Sequence, residues 1–148
     1  MMNKLSSLFD EKSFYPAFTV DLENSKREVI IESPFITTER MTTLWPVFLG
    51  LIDRKVKVYI MTRSPVEHTL IYAQQSEIEI QKMEAVGIQV LLCVGNHHRK
   101  LAIIDRNIAW EGSLNILSQT KSREIMRRLE GDGFAVDLFN FIGYERFL

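Results

Sequence analysis

A chain of 148 residues with 46% hydrophobic and 25% charged side chains has the composition of one globular domain spanning 1–148, and this argues against a disordered or low-complexity protein. A formal net charge of −1 argues against a protein that coats nucleic acid through bulk charge, and a single cysteine, Cys93, leaves no internal disulfide and no thiolate metal cluster. The longest mostly apolar stretch, 44–52, is too short to span a bilayer and the start of the chain lacks a signal-type apolar core, so a cytoplasmic protein with no membrane partner is expected.

Residues 11–24 carry Phe14, Ala17, Phe18 and Leu22 at helical spacing, with Pro16 tolerable in a first turn. Val29-Ile30-Ile31 reads as a short buried strand stopped by Ser33-Pro34, which leaves Ser33 to Phe35 at an edge where ligands gather in open α/β sheets. Thr37 and Thr38 can cap a helix running to about Asp53, and Pro46 predicts a later start or a bend in it. A second strand covers 55–62. A helix over 67–86 follows, capped by Gly87, with His68 expected at its exposed start without a chemical role. Residues 88–94 form a third strand, with Cys93 expected as a buried inert thiol. This rhythm predicts an α/β fold: a mixed, mainly parallel sheet flanked by helices on both faces.

Beyond a turn at Gly95-Asn96, residues 97–104 read as a strand that turns at Asp105-Arg106-Asn107 and returns antiparallel over 108–111. Residues 124–129 fit helix or strand by pattern alone. Phe134, Leu138, Phe139 and Ile142 have the spacing of a closing helix.

The segment rich in chemistry is His98-x-Lys100-x4-Asp105-x6-Gly112-Ser113-x-Asn115. With each fixed residue expected at roughly one position in twenty, the pattern arises by chance on the order of a few times per million chains of this size, so it is specific. Strand alternation puts His98 and Lys100 on one face and His97, Arg99, Leu101, Ile103 and Asp105 on the other. That parity assigns His98 and Lys100 to a common ligand and Asp105 to a structural task at the turn. A neutral His98 imidazole can act as a nucleophile towards phosphorus. Lys100 and Asn115 can bind the nonbridging oxygens, and Ser113 and Gly112 can offer small donors at close range. Arg99 within the motif, with Lys121, Arg123, Arg127 and Arg128 downstream, would either form a basic rim that binds a polyanion or simply face solvent. No histidine or carboxylate is spaced as a metal ligand, so neither metal nor cofactor is expected.

These residues resemble the HKD motif of the phospholipase D superfamily, and the order of elements over about 10–148 is similar to that family as well. The resemblance implies several further features. It favours a strand at 124–129 and makes Glu124 the acid that orients the histidine, although Ser122 stands where many relatives carry asparagine. A single motif copy implies a homodimer in which one His98 attacks to form a phosphohistidine and the other protonates the leaving group, without a metal. Single-motif domains of this kind occur in restriction enzymes and attached to DNA helicases, and the Ser33-Pro34-Phe35 stretch looks most like the helicase-associated group. The expected function is therefore a nuclease acting on DNA or RNA, with a helicase or AAA-type domain as a partner. A backbone-binding module of a helicase and a lipid phosphodiesterase are the alternatives.

Overall fold

The computed structural model describes residues 5–119 and 121–144. Its seven strands are β1 (Ser6–Asp10), β2 (Glu28–Glu32), β3 (Lys57–Arg63), β4 (Gln89–Cys93), β5 (Leu101–Ile104), β6 (Ile108–Gly112) and β7 (Ile125–Glu130). They form one sheet in the order β1-β7-β6-β5-β2-β3-β4. The helices are α1 (Phe14–Glu23), α2 (Thr38–Asp53), α3 (Leu70–Ala85) and α4 (Phe134–Ile142).

The sheet is mixed and flanked by helices, as expected, but only two of its six pairings, β2–β3 and β3–β4, are parallel. Helical crossovers generate parallel neighbours only in that half. The tight turn at 105–107 makes β5 and β6 a hairpin, and β7 and β1 then add antiparallel. β1 was not anticipated: Ser-Ser-Leu-Phe-Asp is too short and polar to signal a strand until β7 offers it a ladder.

Strand alternation divides the core between the two faces. Val29, Ile31, Val58, Ile60, Ala102 and Trp110 pack against Phe14, Phe18 and Leu22 of α1, Met41, Leu44, Phe48 and Leu51 of α2, and Ile80 and Met83 of α3. Ile30, Tyr59, Met61, Leu101, Ile103 and Ala109 face Ala135, Phe139 and Ile142 of α4. Trp110 is fully buried, with the rings of Phe9 and Phe14 each 5.0 Å away and its Nε1 donating to Asp21 at 2.8 Å.

Three boundaries depart from expectation. α2 runs unbroken through Pro46, with Thr37 as its N-cap accepting from Arg40 N; burial of Met41, Leu44, Phe48 and Leu51 outweighs the missing donor. α3 begins at Leu70 after a 3-10 turn at Pro65–Glu67. β5 begins at Leu101, so His97 to Lys100 belong to the loop that enters it.

Candidate active site

His98, Lys100, Gly112, Ser113 and Asn115 gather at one end of the sheet, where β2, β3 and β6 end and β5 and β7 begin, while Asp105 lies at the other. Alternation persists through the extended loop before β5. His98 and Lys100 meet, with Lys100 Nζ 2.9 Å from His98 Nδ1 and donating to His98 O at 2.8 Å. The adjacent ammonium holds the exposed His98 imidazole below its ordinary range, and burial adds to that shift. Burial likewise lowers Lys100, against an opposing pull from Glu124. The pair therefore presents a neutral ring beside a cation.

The β6–β7 connection returns to the same place. Gly112 N–H donates to Lys100 O at 3.3 Å and Ser113 N–H to Ile125 O at 3.0 Å, so neither amide is left to bind an anion. The reason for glycine at 112 is steric: a Cβ there would lie 2.1 Å from Ile125 O and 2.9 Å from Met126 Cα. Ser113 Oγ donates to Glu124 and accepts from Ile125 N at 3.0 Å, while Ser122 Oγ donates to the other Glu124 oxygen at 2.6 Å. Both Glu124 oxygens are thus engaged by serines, rather than by the His98 ring as the resemblance implied. Ser122, which takes the place of the relatives' asparagine, makes one of these bonds. Asn115 follows three residues after β6, with its Oδ1 buried and without a hydrogen-bond partner among the described residues.

The other motif residues have separate tasks. Asp105, at φ 53°, accepts from three successive amides, Lys26 N and Arg27 N at 2.8 Å and Glu28 N at 3.0 Å, and so ties the β5–β6 turn to the start of β2. Arg99 turns to Glu32, at 3.0 Å. Arg128 is not gathered with His98: its guanidinium makes two 2.8 Å bonds to Asp21 and another to Glu130. Arg127 donates to Ser6 and remains exposed, as do Lys121 and Arg123 of the expected rim.

A family model described as "Cardiolipin synthase, PLD-like domain" matches residues 19–137, which include every motif residue. The chain belongs to the phospholipase D superfamily. Structural similarity agrees. Nuc from Salmonella typhimurium, a phospholipase D family member, is 17% identical with a TM-score of 0.71, covering 92% of this chain and 91% of that one. NucT from Helicobacter pylori is 17% identical with a TM-score of 0.69 over the same shares. TrmBL2, an archaeal chromatin protein, is 16% identical with a TM-score of 0.62, covering 99% of this chain and 53% of that one. No curated protein sequence matches the chain. Among the described residues, no helix is long and apolar enough to cross a membrane, and no group of His, Cys, Asp and Glu is arranged to hold a metal ion.

Within this phospholipase D fold, the sequence reading missed a wall of the site. The Phe35 ring, following β2, lies 6.5 Å from the His98 ring, 4.9 Å from His68 and 5.4 Å from Tyr72. His68 is partly buried rather than exposed, and burial with the nearby Arg63 charge lowers its pKa. Arg63 acts on His98 in the same sense. The Ser-Pro-Phe signal at the end of β2 pointed to this edge, but nothing in the spacing linked it to His68. Cys93, half-buried at the end of β4, has its thiol pushed up by burial, as suits an unreactive group.

Proposed function

We propose that this domain is a nuclease that hydrolyses phosphodiester bonds of DNA or RNA through a phosphohistidine, at a site shared by two copies of the chain and without a metal. The contact between His98 and Lys100 at 2.9 Å carries the reading. It joins a ring kept neutral, and hence nucleophilic, to an ammonium suited to a nonbridging phosphate oxygen. Asn115, three residues past the end of β6, can offer the N–H groups of its side-chain amide to a further nonbridging oxygen.

When a substrate phosphate draws Lys100 Nζ away from His98 Nδ1, the freed imidazole lone pair attacks phosphorus and the bond to the leaving oxygen breaks. That oxygen needs a proton, which Lys100 is poorly placed to give while it binds the phosphate. A second, protonated His98 from a symmetry-related copy supplies it. Water then attacks the phosphohistidine, the P–N bond breaks, and the water's proton returns to the second histidine. Nucleic acid is favoured as substrate by the exposed Lys121 and Arg123 between Asn115 and Glu124. TrmBL2, which shares the fold, is described as binding DNA.

The decisive experiment incubates the protein and its His98→Ala variant with single- and double-stranded DNA in excess chelator. Cleavage by the wild type alone is expected. Loss of that cleavage on chelation would overturn the metal-independent chemistry. Tight DNA binding in both proteins with no cleavage would instead identify a backbone-binding module, and hydrolysis of phosphatidylcholine vesicles with intact DNA a lipid phosphodiesterase.

A further inference from the structure

Glu32 ends β2 on the α4 face, paired across the sheet with Leu101 and Met61. Its side chain is 0% exposed. Its Oε1 accepts a hydrogen bond from Arg99 Nε at 3.0 Å and lies 2.9 Å from His97 Nε2 without hydrogen-bond alignment, while Oε2 and His97 Nε2 have no hydrogen-bond partner among the described residues. A buried carboxylate with a bare oxygen between apolar strand neighbours is costly, and an apolar side chain would suit the packing better. The fold alone gives no reason for it.

Its two partners supply one, because they are the residues immediately before and after His98. One oxygen bonds Arg99 and holds His97 at close range on the same side of the segment, so the side chain between them leaves on the other side. We propose that Glu32 is a positioning residue: by clamping His97 and Arg99 it directs the His98 ring onto Lys100. β5 itself begins at Leu101, and the Gly112 bond to Lys100 O is the cross-strand backbone bond that precedes it among the described residues, which leaves 97–99 without a ladder to fix that direction. The clamp takes the ladder's place. Its bearing on catalysis rests on the reading of His98 as the reacting group.

The experiment is an NMR titration of the His98 ring in the wild type and in Glu32→Gln, with kcat and KM measured on bis(p-nitrophenyl) phosphate and single-stranded DNA. Released from the clamp, the ring leaves the Lys100 ammonium and its pKa rises. Loss of the Glu32 negative charge acting directly would lower it, so the sign separates positioning from simple electrostatics. In the folded variant kcat should fall about 100-fold with little change in KM, the signature of a misplaced reacting group. A His98 pKa that is unchanged or lower in folded Glu32→Gln overturns the proposal. Should that variant fail to fold, Glu32→Asp keeps the charge while drawing it back from His97 and Arg99, and an unshifted His98 there is equally fatal. Wild-type inactivity on both substrates would refute the proposed reaction, while the titration would still decide the clamp.

Discussion

At the scale of single residues, the His98–Lys100 contact makes a signed prediction about pH. A shared site works when one ring is neutral and the other protonated, and that mixed state is most populated near the pair's mean pKa. Lys100 lowers His98 below 6.5. The neutral nucleophile therefore persists to lower pH, and the protonated acid is lost sooner as pH rises. The kcat profile should be bell-shaped with its maximum on the acid side of 6.5. Lys100→Met should shift that maximum upward and lower kcat by about 100- to 1000-fold, because a charge aimed at the phosphate is lost. A pH–rate series on both proteins checks both effects, and an unmoved optimum would contradict the electrostatic coupling. The motif spacing carried the identities and pairing of His98 and Lys100. It did not carry the engagement of Glu124 by Ser113 and Ser122, because those bonds depend on how closely β6 and β7 approach.

At the scale of elements, that approach is itself testable. Gly112→Ala would drive a methyl group into the β7 backbone, and strands fixed by ladders on both sides cannot part cheaply. A loss of about 3 kcal/mol in urea unfolding is expected. Asp21→Ala should cost a similar or larger amount, about 3–5 kcal/mol, since it strands the buried Trp110 Nε1 and the Arg128 guanidinium together. If Arg128 served substrate rather than the fold, Arg128→Ala would lose activity while keeping its stability. The strongly patterned elements were legible: α1, the β2-α2-β3-α3-β4 run and α4 follow from apolar spacing. The weak ones were not. β1 needs β7 as its template, and residues 124–129 fitted two patterns until the family resemblance favoured the strand that the sheet holds between β1 and β6.

At the scale of the whole molecule, the central issue is whether one chain completes a site. Light scattering of an active preparation should report a dimer. Subunit exchange gives the sharper test. In an equimolar mixture of wild type and His98→Ala, wild-type pairs are about a quarter of the dimers, so activity should fall to about that fraction if both copies supply a histidine. A fall only to one half would show that each chain works independently. Alternation and apolar spacing pointed to an α/β fold, and the His98 to Asn115 motif, by its resemblance to the phospholipase D superfamily, singled out His98 and Lys100, because these are local properties written into alternation and motif order. Only the tertiary structure decided which charges are free for substrate: it committed Arg128 to Asp21 and Arg99 to Glu32, and brought Phe35 and His68 to the site. The physical reason is distance. Asp21 and Arg128, or Glu32 and Arg99, lie far apart in the chain, and no periodicity shows that a buried carboxylate will claim a cation before a phosphate can.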